Sequence, residues 1–377
     1  MPAFAPLPDL LASLHNIGDP LADAAIAEAA RLGVEGARLL DRAVREGPSP
    51  ETQPAAAALA ADVRSADWAD ASRMARGSDA YLAIGASWIG LALGPGSLAH
   101  TYSAPSIARV LVRTGNLTKM ARHRILETGA WNVATVLPEG LTPGRDGFVQ
   151  NLQVRLLHAR VRHALLAKGW DVAAQGMPIN QIELARTWLD FTYIPFEALA
   201  TLGITFSADE IEDLYHLWQV AGHLLGIDPR LYRPVTNQAE GARLLSAIDA
   251  NQPPPGADSQ LLTAAMLEAM GQLLAPELRV SEGMATELSR AVLRRLHGDA
   301  QADALGVPRS WTRLLLPAIA IANRVKRARE RRDPALRAAS IARTIATFQA
   351  GEGLLPGGTA YTRAAAESPG DALPVSG

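Results

Sequence analysis

The 377-residue chain contains no cysteine. Disulfides, iron–sulfur clusters, thiolate-ligated haem and cysteine nucleophiles are therefore excluded. Aromatic residues make up only 5% of the chain, and β-branched residues do not alternate over strand-length runs, so no sheet is expected. No charge-free apolar run reaches the ~18 residues a membrane-spanning helix needs. The N-terminus, MPAFAPLPDLLASLHNIGDP, has neither a basic segment nor a long apolar one. It reads as lacking a signal peptide, which leads to the expectation of a cytoplasmic protein. The formal net charge of -2 gives no reason to expect a nucleic-acid partner. There is no HExxH, no His-x-His pair and no DxD cluster, so a protein-only zinc or di-iron site has little support. No GxGxxG follows a strand, and neither a Walker loop nor a GxSxG elbow occurs, which leaves nucleotide cofactors and serine-hydrolase chemistry without a motif.

What is present is helix. Alanine, leucine and arginine dominate, all good helix formers. A hydrophobic fraction of 48% over this length is enough for a large core. The periodicity predicts helices over 21–43, 55–63, 77–93, 105–113, 117–136, 208–225, 240–248, 259–275, 281–296, 311–332 and 334–347. A helix from Gln181, kinked at Pro195, is also expected. Asn180 is read as a cap, and Ser207 with Glu210 as a capping box. GPGS at 94–97 reads as a turn, and Thr114-Gly115-Asn116 as an interruption. His15, His100 and His297 read as surface groups. Leu314 to Ala322 reads as part of a core helix with a basic solvated end, in preference to a segment lying on a membrane. The expected architecture is all-α: one large helical domain over 1–350 and a mobile Gly-, Pro- and Ala-rich tail over 351–377.

One stretch organises the chain, VRLLHARVRHALLAKGWDVAAQG from Val154 to Gly176. Arg155, His158 and Arg162 are spaced i, i+3, i+7 and share a helical face among leucines. An imidazole in that setting is either a satisfied core histidine or a metal ligand. On the preceding helix Arg124, Glu127 and Thr128 form a second polar patch at i, i+3, i+4. Facing each other, the two patches would frame a pocket with cations, a carboxylate, a hydroxyl and an imidazole. Haem, with apolar faces, anionic propionates and an iron that accepts imidazole, suits such a pocket. A buried ion-pair network in which Glu127 pairs with an arginine suits it as well. His216 is expected in the core or lining the pocket, and Trp131, Trp170, Trp188 and Trp218 are expected to fill space between helices.

The segments GDPLAD, RHRILETGAW, RLLHARVRHAL, GMPINQIELARTWLDF and EDLYHLWQVAGHLLGIDP, in that order, resemble the rubber-oxygenase (latex-clearing protein) and MpaB-type oxygenase superfamily over roughly residues 15–330. The resemblance implies an all-helical fold with a globin-like core around haem b, and a dioxygen-using enzyme that attacks carbon–carbon double bonds. It implies His158 as the iron ligand, supported by Arg155, with Arg124 and Thr128 on the opposite side. Thr187 matches a further pocket threonine, and Arg162 completes the cofactor-binding set. Rubber-cleaving members carry a lysine beside that threonine, where this chain has Glu127. A carboxylate presents the opposite charge and would act as a base or an acceptor. The expected function is a haem-dependent oxygenase, with Glu127, Arg124 and Thr128 as catalytic residues. Its expected substrate is a small or medium apolar one of unsaturated lipid or isoprenoid type. Two alternatives stay open: a non-catalytic binder of haem or an apolar ligand, and a metal-free enzyme using Glu127 and His158 as an acid–base pair.

Overall fold

Local chemistry sets the helix starts. Asn180 and Glu183 form a capping box, and so do Ser207 and Glu210, each satisfying backbone N–H groups that a helix N-terminus leaves free. The computed structural model describes residues 7–113, 117–250 and 252–352. In chain order the helices are α1 (Leu7–Leu14), α2 (Pro20–Arg31), α3 (Gly33–Glu46), α4 (Pro54–Asp62), α5 (Ala71–Leu82), α6 (Ala86–Leu91), a π-helix (Ala92–Leu98), α7 (Ala99–Ser103), α8 (Pro105–Arg113), α9 (Leu117–Val136) and α10 (Asp146–Ala167). There follow α11 (Val172–Gln175), α12 (Gln181–Leu189), α13 (Tyr193–Thr201), α14 (Ala208–Leu224), α15 (Pro229–Tyr232), α16 (Gln238–Asp249), α17 (Ala257–Leu278), α18 (Glu282–Ala304), a 3₁₀ turn (Trp311–Leu314), α19 (Leu316–Arg332) and α20 (Pro334–Glu352). The described residues contain no strand. Among them no single helix is long and apolar enough to cross a membrane, although α5 with the segment 86–103 passes that test as a pair bent by 90°. The interruption expected at Thr114–Asn116 and the tail beyond residue 352 lie outside the described residues.

Several expectations are corrected. The helix read over 21–43 breaks at Leu32, because Gly33 adopts φ +63°, a conformation open to glycine at little cost. GPGS is not a turn. It lies inside the π-helix, whose wider backbone accommodates Pro95. The helix from Gln181 ends at Leu189 rather than kinking at Pro195, which instead sits in the first turn of α13, where a missing N–H costs little. His100 is buried, and His297 is partly buried and bonded to the Gly96 carbonyl at 2.8 Å. Much of the apolar part of 314–322 faces outward, with Leu314 74% and Ile321 59% exposed.

Two large hydrophobic clusters, with a small third one around Val110, Val161, Leu165 and Trp170, make the core. The larger surrounds α14, whose Leu214, Tyr215, Leu217 and Trp218 are buried. Helix α5 lies close against it at Gly77, where an added Cβ would strike the Asp213 carbonyl. The scarce aromatics gather here. Trp131 meets Phe191 edge-on at 4.8 Å, and Phe191 stacks on Trp218 at 5.5 Å. Trp131, Trp170, Trp188 and Trp218 are all buried, as space-filling residues. The second cluster is built on α17 and α18. His216 is buried and accepts the Asp70 N–H at 2.9 Å, so it serves the core at the start of α5.

Candidate active site

The segment Gly18–Asp23 and helix α10 form one unit. Asp19 caps α2 by accepting the Ala22 N–H at 3.1 Å. The same carboxylate receives Arg155 at two points, Nε at 2.6 Å and Nη2 at 3.1 Å, and Arg155 Nη1 reaches Asp62 at 3.1 Å. Two turns on, the buried Arg162 donates Nε to Asp23 at 2.9 Å and Nη1 to the Ile179 carbonyl at 2.7 Å. Gly18 and Gly226 leave room for these guanidinium groups, since a Cβ at either would collide with one. Burial opposes the charge on Arg155, but Asp19 and Asp62 hold its pKa above the ordinary value. Both arginines are thus committed to carboxylates at the N-terminal side, and together they fix the rotation of α10.

His158 lies between them on that helix. The residue is part-buried, and its Nδ1 is fully buried with no hydrogen-bond partner. Burial, reinforced by the Arg162 charge, lowers its pKa to about 4. At pH 7 the imidazole is neutral and has a nitrogen lone pair to offer, the form in which histidine binds iron. Among the described residues no three His, Asp or Glu side chains gather as a metal site. A haem iron needs only one protein ligand of this kind, and His158 suits that role.

On α9, Glu127 is buried and lies 3.2 Å from His123 Nε2, one turn away on its own helix. Arg124 is partly buried, and its charge opposes the burial-driven rise in the pKa of Tyr102. Thr128 stands in the wall of a cavity of about 630 Å³, a size typical of small-molecule sites. Of the expected site residues Thr128 alone does so; His158, Arg155, Arg162, Arg124, Glu127 and Thr187 do not line it. The cavity runs between the two core clusters, with Ile89, Val133, Phe191, Met270 and Leu274 among its apolar walls and exposed Arg145, Asp146 and Glu277 marking its open side. The π-helix supplies Leu93, Gly94, Ser97 and Leu98 to the wall. Helix irregularities of this type are frequent at functional sites.

Sequence reasoning missed the polar network at the inner end of this cavity. His100 Nδ1 lies 2.6 Å from Asp190, and its Nε2 lies 3.0 Å from Asp249. Thr101 donates to the other Asp190 oxygen at 2.6 Å, and Thr101 and Asp190 both border the cavity. Arg186 binds Asp249 at 2.8 Å and Ser103 at 3.0 Å. Burial alone would depress the His100 pKa, but the Asp190 charge and the two carboxylate hydrogen bonds outweigh it, and the pKa is raised. A carboxylate inside the apolar run TWLDFTYI, four residues after an arginine, was the available signal, because a charge so placed needs a partner.

Comparison with known proteins agrees with this architecture. The family model described as "ER-bound oxygenase mpaB/B'/Rubber oxygenase, catalytic domain" matches residues 82–327. A rubber oxygenase from Streptomyces sp. (strain K30) is 25% identical over 250 residues, covering 65% of this chain and 58% of that protein. The chain therefore spans less than two thirds of that relative. A solved structure of latex clearing protein LCP in the closed state superposes with a TM-score of 0.67 at 18% identity, covering 89% of this chain and 90% of that one. The likeness in structure speaks for the fold. The expected cytoplasmic location is corrected by the family's description as ER-bound. With the matched segment extending from α5 into α19, the chain belongs to the MpaB/rubber-oxygenase catalytic-domain family.

Proposed function

We propose that the protein is an oxygenase that holds haem b through His158, with a globin-like arrangement of α9 and α10 around it, and acts on an apolar, unsaturated lipid or isoprenoid-like substrate. The observation that carries this reading is His158, an uncharged imidazole with a buried, unbonded Nδ1 on a helix clamped in place. When bound, haem supplies the activation of dioxygen needed to oxidise a carbon–carbon double bond. The chain's own residues do the rest. The cavity walls take up the substrate's apolar body and exclude water from it. Thr128 contributes to the wall of that space from α9. Arg155 and Arg162, paired with Asp19, Asp62 and Asp23, act as positioning residues for α10 rather than as free cations. Arg124, Glu127 and Thr187 are proposed to complete the polar surroundings, with Glu127 standing beside His123.

The test is a visible spectrum. Protein reconstituted with haem should show a Soret band, and His158→Ala should shift or abolish it while far-UV circular dichroism stays helical. Dioxygen uptake with unsaturated lipids and isoprenoids should then depend on the bound haem. A protein that binds no haem, or whose spectrum ignores His158→Ala, would overturn the reading.

A further inference from the structure

The surface formed by the 3₁₀ turn and α19 is unlike the rest of the molecule. Trp311 is 55% exposed and Leu314 74%, followed along the same side by Ile321 and Val325. Within α19, Ile321, Val325 and Ala328 fall within about a sixth of a helical turn of one another. This ridge is apolar outward, the reverse of a normal solvated helix. Exposed arginines border it. Arg309, Arg313 and Arg324 line a shallow groove beside it. The acidic member of that groove, Asp299, is bound to Arg294 at 2.7 Å, so the arginines dominate the rim.

We propose that this ridge docks the protein on the surface of an anionic phospholipid bilayer. Trp311, Leu314, Ile321 and Val325 would enter the headgroup–acyl boundary, and Arg309, Arg313 and Arg324 would meet lipid phosphates. Tryptophan favours that boundary because its ring is apolar and its N–H is polar. Arginine matches phosphate through its planar fork of donors. An apolar patch with a cationic rim is complementary to a layer that is hydrocarbon inside and negative outside. A second copy of the chain fits less well, because a two-fold contact would bring two arginine-bordered surfaces together without complementary charge. This inference does not depend on haem or on the cavity.

The experiment measures binding of the full chain to vesicles of phosphatidylcholine alone and of an equimolar phosphatidylcholine–phosphatidylglycerol mixture. Binding is expected to the anionic vesicles, weakening as salt is raised. Trp311→Ser with Leu314→Ser should lower that affinity by at least about tenfold, from the apolar burial lost. Arg313→Glu with Arg324→Glu should abolish the preference for phosphatidylglycerol. All four positions are exposed, so the variants should keep the wild-type melting temperature. No vesicle binding, equal binding to both vesicle types, or undiminished binding by the serine variant would overturn the proposal. So would a wild-type dimer that the serine variant converts to monomer.

Discussion

Two histidines whose pKa values are shifted in opposite directions define the residue scale. His158 is held neutral by burial and by Arg162, with a pKa of about 4. His100, facing Asp190, Asp249, Arg186 and the stacked His297, is raised instead. The consequences for stability have opposite signs. Because the folded-state pKa of His158 is depressed, its contribution is present above the ordinary histidine pKa and is lost as pH falls toward 4; His297, lowered to about 4 mainly by burial, adds to the same acid limb. Because the His100 pKa is raised, its contribution is present below the ordinary value and is lost as pH rises through the folded-state pKa. Urea unfolding across this range should therefore show His158→Gln flattening the acid limb and His100→Gln flattening the alkaline limb, whatever each does to stability at neutral pH. An unchanged alkaline slope in His100→Gln would mean that the His100–Asp190 pair is not charged in the folded state. At this scale the sequence was legible where residue type and local spacing decide the environment, as for His158. It was not legible for His100, whose partners Asp190 and Asp249 lie 90 and 149 residues away.

Helix α10 shows the same division among elements. Its helical period could be read directly, and so could the cap at Asn180 and the capping box at Ser207, because those bonds close within four residues. GDPLAD was recognisable as a segment, but its physical job appears only in the fold: Asp19 and Asp23 grip Arg155 and Arg162 from 136 and 139 residues away. The π-helix was invisible for a related reason. GPGS has turn chemistry, and tertiary contacts override it, with Gly94 pressed against Met270 and Gly96 against Ala198. The clasp has a measurable price. Asp19→Ala leaves the buried Arg155 charge with only Asp62, which is part-exposed, and removes the α2 cap. Loss of one partner from a buried pair costs about 3–5 kcal/mol, and loss of a cap about 1 kcal/mol. Chemical denaturation should report a loss in that range for Asp19→Ala. Arg38→Ala, which breaks a pair exposed at both ends, should leave the denaturation midpoint essentially unchanged. Haem uptake should fall with the first variant and not the second, since only the first frees α10 to rotate.

For the molecule as a whole, the cavity lies at the seam between two hydrophobic clusters. The all-α class followed from composition, but a seam between clusters depends on contacts across the chain, which no local pattern encodes. That placement gives the space two distinct uses that a single variant separates. Ala130 lines the cavity from α9, two residues beyond Thr128, while His158 stands outside its wall. Ala130→Leu keeps a strong helix former in the helix and fills apolar space, which should stabilise the empty protein by about 1 kcal/mol through added burial. The same leucine occupies room the substrate's apolar body requires, so kcat/KM for a long unsaturated substrate should fall at least about tenfold, a stability gain at the expense of function. The haem spectrum should stay as in the wild type if the iron is held beside His158 and the cavity serves the substrate. A Soret band lost in Ala130→Leu would instead place the porphyrin in the cavity, and the substrate would then need a different route to the iron.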